Sequence, residues 1–255
     1  MKVTFLGTGT SQGIPIIGCK CAVCKSSNTR DKRLRTSALV SVGDKNILID
    51  IGPDFREQML RNDVSRLDAI LVTHAHRDHV AGIDDIRPYN YYQQSAIDIY
   101  ARSNAIEAIR RDYAYIFAQH IYPGLPEANL IEVSGTSVFQ IGNTKVVPIE
   151  AMHKDMPILG YKMERFAYVT DANYIAPTEL DKIKDMDVLV INALRQEKHF
   201  SHFSLDEALE VIDFLKPRKA YLTHMSHEMG FYDEVSRNLP KNVFLAYDGL
   251  TVEIQ

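Results

Sequence analysis

The chain has 255 residues, 45 % of them hydrophobic and 24 % charged, so a substantial core is expected in a soluble globular protein. No apolar run approaches the roughly 18 residues of a membrane span, and Met1–Leu6 reads as a short strand running into Gly7-Thr8-Gly9, not as a signal peptide; a cytoplasmic location and no membrane partner are the expectation. A net charge of −4 argues against a surface devoted to nucleic acid, although Lys25, Arg30, Lys32, Arg33 and Arg35 crowd one segment.

Lys2–Leu6 is the first predicted strand. Gly7–Gly13 is a glycine-rich turn whose amides could approach an anion, the plainer reading being a simple chain reversal. Residues 14–35 form an excursion holding Cys19, Cys21 and Cys24, the three cysteines of the chain. An odd, closely spaced set is no disulfide framework. C-x-C-x-x-C reads instead as three thiolate ligands of a structural zinc, the alternative being free thiols in a loop. Such a site is closed by a fourth protein ligand, and His227, three residues beyond His224, is the candidate.

Residues 36–42 and 46–50 read as strands joined by a Gly43-Asp44-Lys45 turn, and a helix follows over 54–61 with Asp54 as its cap. Ala69–Val72 is a buried strand. It ends in Thr73-His74-Ala75-His76-Arg77-Asp78-His79-Val80, with a helix expected to begin near His79. His74 and His76 are two apart, so extended backbone aims both rings the same way. Asp78 and His79 lie past the bend and can face a second ion. Imidazole and carboxylate together suit zinc, iron or manganese.

Residues 83–94 collect Tyr89, Tyr91, Tyr92 and Arg87. A substrate wall and a homodimer surface are both open readings here, with ordinary half-buried tyrosines the plainer one and Arg87 a candidate anion contact. Residues 97–101 form a strand, and 103–115 a helix with Ser103 as N-cap and Ile106, Ile109 and Tyr113 inward. His120 stands alone and reads as structural. Strands return at 138–141 and 144–150 and through the β-rich 158–169. From there helices (177–184, 204–216, 231–238) alternate with strands (188–192, 219–223, 243–246). Helices outside two mixed sheets give an α+β, four-layer αββα sandwich, with no linker dividing residues 1–255 into more than one domain.

The H-x-H-x-D-H string resembles the metallo-β-lactamase superfamily. The resemblance extends over nearly the whole chain through Asp50, His153, Asp171 and His224, each at a strand end and in the family's order. It implies the same four-layer fold. By motif matching it also implies one metal on His74, His76 and His153, a second on Asp78, His79 and His224, Asp171 bridging them, and Asp50 supporting the site from behind. Two divalent ions, zinc or manganese, would activate a shared hydroxide for attack. A proton donor for the leaving group is then needed; His202, just before the helix at Ser204, is preferred over His199, so that His202 and Asp78 are the catalytic expectations.

Gly18-Cys19-Lys20-Cys21-Ala22-Val23-Cys24 and His224-Met225-Ser226-His227 are similar to the phosphoribosyl cyclic phosphate phosphodiesterase family of the carbon-phosphorus lyase pathway. In that family the cysteines and the last histidine hold zinc. Ile51–Arg56 is similar to the protein of pyrroloquinoline quinone formation. The resemblance implies a dinuclear phosphodiesterase for a small, cyclic phosphate ester. Its rivals are a tRNA 3′-processing endonuclease, a di-iron redox protein and a metal-dependent binding module. The endonucleases insert a long RNA-gripping arm between the positions of His153 and Asp171, where this chain has 17 residues, 154–170. Redox relatives carry a flavin domain or exchange a histidine for a carboxylate, and a binding module would not need His202.

Overall fold

A computed structural model describes residues 1–118 and 124–254; His120 lies outside them. The strands are β1 (Lys2–Gly7), β2 (Ser37–Val42), β3 (Lys45–Ile49), β4 (Ala69–Leu71), β5 (Ile97–Ala101), β6 (Ala128–Glu132), β7 (Phe139–Ile141), β8 (Thr144–His153), β9 (Met156–Met163), β10 (Phe166–Val169), β11 (Tyr174–Ile175), β12 (Val188–Asn192), β13 (Lys219–Thr223), β14 (Val243–Leu245) and β15 (Thr251–Glu253). The helices are α1 (Ala22–Lys25), α2 (Phe55–Arg61), α3 (Arg77–Val80), α4 (Arg87–Gln93), α5 (Ser103–Asp112), α6 (Pro177–Leu180), α7 (Leu205–Leu215) and α8 (Tyr232–Asn238).

One sheet runs β15-β1-β2-β3-β4-β5-β6 and the other β11-β8-β9-β10-β12-β13-β14, with β7 on β8. Alternation of side chains along each strand divides the apolar residues between the two faces. On β2 and β3, Ala38, Val40, Ile47 and Ile49 face a core between the sheets, where Tyr161, Phe166, Tyr168, Val188 and Val190 meet them. Leu39, Leu48 and Ile70 face outward onto Phe55 and Met59 of α2 and Ile106 and Ile109 of α5. On the second sheet Ala167, Val169, Leu189 and Ile191 face outward onto Ala208, Ile212 and Leu215 of α7 and Val235 of α8. Three cores stacked in this way are a four-layer αββα sandwich. Strands covered on both faces must be apolar at every position, which is why β4, β10 and β12 read as unbroken hydrophobic runs.

β3, β4, β5 and β6 are parallel, as are β10, β12, β13 and β14. Their carboxyl ends feed the loops that carry the motif residues. Several boundaries differ from expectation. β8 runs on to His153 because His153 pairs with Met156 in a tight hairpin with β9, a tertiary pairing that carries the strand past its β-branched stretch. α3 begins at Arg77, two residues early. Arg102, not Ser103, caps α5. The Asp54 side chain leaves its own helix uncapped and instead accepts from the Arg35 backbone N–H at 2.8 Å and Nη1 at 2.9 Å. Among the described residues no helix is long and apolar enough to cross a membrane.

The excursion is ordered by more than its cysteines. Arg33, buried, donates to Thr8 Oγ1 (2.9 Å) and the Ala246 carbonyl (2.7 Å), while Asp31 accepts from the Tyr232 amide at 2.8 Å. Arg30 lies 5.0 and 4.7 Å from the ring centres of Tyr232 and Tyr247, within cation–π range.

Candidate metal centre

Asp50 and His224 follow directly on β3 and β13, Asp171 lies one residue further past β10, and each has a left-handed backbone, with φ of 62°, 56° and 59° in that order. For a residue with a Cβ this costs about 1–2 kcal/mol, a strain that marks functional positions. The side chains they carry meet those of the Thr73–His79 loop and the end of β8.

Two clusters of donor atoms result, each with its atoms within 4.8 Å of one another: His74, His76 and His153, and Asp78, His79, Asp171 and His224. Asp171 is the hinge. Its Oδ1 lies 3.0 Å from His224 Nε2 and 3.1 Å from His202 Nε2, its Oδ2 3.3 Å from His79 Nε2. His153 donates from Nδ1 to the carbonyls of Asp171 (2.8 Å) and Ser201 (2.9 Å), which leaves Nε2 as an acceptor facing the cluster. Asp50 stays behind the site: it accepts from the Thr73 amide and hydroxyl at 2.8 and 2.9 Å and from His79 Nδ1 at 2.7 Å. A carboxylate behind an imidazole fixes the tautomer and raises the basicity of the outward nitrogen.

The residues fit divalent cations on two grounds. His79 Nε2 and His224 Nε2 are buried, and although Asp171 oxygens lie 3.3 and 3.0 Å from them, neither makes a well-aligned hydrogen bond among the described residues, an arrangement that buried polar atoms otherwise avoid. Burial opposes charge on His79, yet the carboxylates of Asp171, Asp78 and Asp50 hold its pKa well above the ordinary histidine range. Burial likewise works against Asp171, and the imidazoles of His224 and His79 beside it overcome that to hold the carboxyl well below its usual range. The spot calls for positive charge. His74, by contrast, is kept neutral by burial and by His79 beside it.

His202 lies in this assembly, forming a third cluster with His153 and Asp171. Burial lowers its pKa while the Asp171 carboxylate works upward. His199 stands one layer back, with Nδ1 3.3 Å from His202 Nδ1 and 3.2 Å from Ser201 Oγ.

A family model described as a β-lactamase superfamily domain matches residues 45–225, the span that carries all eight of these clustered residues. The chain belongs to the metallo-β-lactamase superfamily. Within the superfamily it is 36 % identical to a structure described as a new diphosphatase from the PhnP family, with a TM-score of 0.93 over 100 % of this chain and 98 % of that one. It shares its fold with zinc-bound PqqB from Methylobacterium extorquens (TM-score 0.82, 18 % identity, 100 % of both chains). An octanoyltransferase of Porphyromonas gingivalis is 40 % identical over 252 residues, 98 % of this chain. The chain spans about half of that relative's length, 51 %.

Apart from the residues that place it in the superfamily, the cysteine excursion forms a cluster of its own. Cys19, Cys21 and Cys24 place Sγ 3.4, 3.3 and 3.7 Å from His227 Nδ1. A tetrahedral ion with Zn–S near 2.3 Å and Zn–N near 2.0 Å needs such edges of about 3.5 Å. The Cys24 amide, donating to Cys21 Sγ, pulls that thiol down to about 6 against its burial, whereas burial pushes Cys24 up to about 11.

Other expectations fare differently. Arg87 is bound by both oxygens of Asp84 at 2.7 Å and belongs to neither donor cluster. Tyr89 is buried and donates to the Val64 carbonyl, while Tyr91 and Tyr92 are exposed. The glycine-rich turn is scaffold: the amides of Gly9, Thr10 and Gly13 go to the carbonyls of Leu34, Met225 and Thr10, and a Cβ on Gly9 would meet Arg33 Cβ at 2.9 Å. Sequence reasoning missed Thr73, Thr170 and Ser201, which contact His74, Asp171 and His153 through hydroxyl or carbonyl oxygens; Thr past a strand end and Ser in a loop are too common for a spacing rule to single out.

Proposed function

We propose that this chain is a dinuclear metal-dependent hydrolase of small phosphate esters, most directly phosphodiesters. The observation that carries the reading is Asp171, whose two oxygens face His202 and His224 on one side and His79 on the other. His74, His76 and His153 would hold one cation and Asp78, His79 and His224 the other, with Asp171 between them. Bound divalent cations supply an acidified water and charge neutralisation for the phosphate.

The chain's own residues do the rest. Asp50 holds His79, and the Asp171 and Ser201 carbonyls hold His153, so the ligands are oriented before substrate arrives. His202 presents Nε2 at the same carboxylate oxygen as His224, where a proton can pass to a departing oxygen; His199 and Ser201 support its other nitrogen. The Cys19, Cys21, Cys24 and His227 cluster would hold a separate, closed zinc that anchors the excursion. Residues 154–170 are taken up by β9 and β10 and their short turns, which leaves no arm for gripping RNA and supports a small substrate over a tRNA.

The diphosphatase relative favours diphosphates as an adjacent substrate class. The Porphyromonas gingivalis relative is named an octanoyltransferase, and this chain spans about half of it, so an octanoyl substrate is the second class to be tested. Zinc- or manganese-loaded protein assayed on cyclic and linear phosphodiesters, diphosphates, monoesters, octanoyl thioesters and lactams, with bound metal measured alongside, decides between them. Turnover confined to thioesters, or none on any phosphate ester, would overturn the proposal.

A further inference from the structure

A cleft of about 640 Å³ opens over His76 and His153, walled by Lys154, Asp155, Met156 and Pro157 of the β8–β9 hairpin on one side and Phe200 and Ser201 on the other. Phe200 is 70 % exposed. Single exposed apolar residues are ordinary on protein surfaces, but the backbone that carries this one is held on both sides. The Asn173 side chain accepts from the Lys154 amide at 2.7 Å and donates to the Phe200 carbonyl at 3.4 Å, so one amide ties the two rims together. From the loop side, Arg195 donates to the carbonyls of Glu197 and Lys198.

The ring also has a defined neighbourhood. Lys154 Nζ lies 5.7 Å from its centre and 3.8 Å from the exposed Asp155 carboxylate, a long, solvated pair that an incoming anion can replace, and the His199 ring is 4.5 Å away. His199 is in turn 5.3 Å from His202, whose ring stacks on His224 at 5.0 Å. A row of flat rings therefore leads from the cleft rim to the metal-facing histidines. A substrate with its phosphate at the donor clusters would project its departing half into the cleft past His76 and His153, toward Phe200.

The geometry points to this rim as the recognition site for the departing half of the substrate: Phe200 stacks on a flat ring carried by the leaving group, Lys154 meets negative charge on it, and Asn173 is the positioning residue for both. The inference rests on the phosphate-ester reading and narrows it to esters of ring-bearing alcohols or acids.

Non-hydrolysed phosphonates test it on the zinc-loaded protein by calorimetry. Stacking on one aromatic side chain is worth about 1–3 kcal/mol, so benzylphosphonate should bind roughly 10-fold more tightly than methylphosphonate. Phe200→Ala and Phe200→Leu should erase that ratio and Phe200→Tyr restore it. Asn173→Ala should reduce it with bound zinc unchanged, and Lys154→Met should remove any further gain shown by 4-carboxybenzylphosphonate. A wild-type ratio near one alongside normal turnover of phosphate esters would overturn the ring inference and leave the hydrolase reading intact. Octylphosphonate binding as tightly as benzylphosphonate would overturn it in favour of an apolar chain. No phosphonate binding and no phosphate-ester turnover would remove the hydrolase reading itself.

Discussion

His202 and Asp50 touch the same cluster from opposite sides, and substitution should separate their roles. General acid catalysis contributes 10²–10⁴-fold only where the leaving group needs a proton. His202→Ala is therefore expected to keep its bound metal and to hydrolyse an aryl phosphodiester almost normally, while losing roughly 10²-fold or more on an alkyl one. Equal slowing of both substrates would assign His202 to positioning instead. Asp50 makes three contacts behind the site, to the Thr73 amide, the Thr73 hydroxyl and His79. Loss of such a carboxylate typically costs 10–100-fold in metal affinity. Asp50→Asn should show that loss by competition with a chelator, with the fold intact by circular dichroism; unchanged affinity would mean His79 needs no partner.

Two elements hold the site's edges. The loop before α7, which presents His199, Phe200 and His202, ends in a capping box in which Ser204 and Glu207 satisfy each other's backbone amides, so the helix start is fixed by local chemistry. The segment from His224 to His227 reaches both candidate metal sites, and Met225 is held between Thr8 and Thr10 by amide-to-carbonyl hydrogen bonds. Cys21→Ser should lose one zinc per chain by metal analysis and speed amide exchange in residues 14–28, because their core beyond the cysteines is only Ile14, Ile16, Val23 and Phe231. Residues 30–33 should stay protected through the Arg33 and Asp31 contacts. Unchanged zinc content would remove the structural-zinc assignment.

Across the whole molecule, Asp248 joins the end of β1 to the excursion and the C-terminal loop by accepting from Thr8 Oγ1 at 2.8 Å and the Leu34 amide at 2.7 Å. Burial pushes its carboxyl up to about 6. The folded protein thus holds this proton more tightly than the unfolded chain, so the contribution to stability is full below about pH 4 and is lost as pH rises through about 6. Denaturant midpoints of wild type and Asp248→Asn should accordingly diverge between about pH 4 and 7, the wild type losing ground as pH rises; a constant difference would mean the carboxyl is not shifted. None of this was legible in the sequence, because Thr8, Leu34 and Asp248 are brought together only by the pairing of β1 with both β15 and β2. The four-layer fold was legible in the order of the apolar β-forming runs and amphipathic helices, and the His74–His79 string in its short-range spacing; that His153, Asp171 and His224 join it was implied by the resemblance to the superfamily. What the tertiary structure alone decided is where those strands end and what their ends face. Pairing with β9 carried β8 on to His153, and left-handed backbone turned Asp50, Asp171 and His224 off their strands. Packing of the 199–203 loop against the β8–β9 hairpin set His202, and not His199, against Asp171, a contact between residues 31 positions apart that no local pattern encodes.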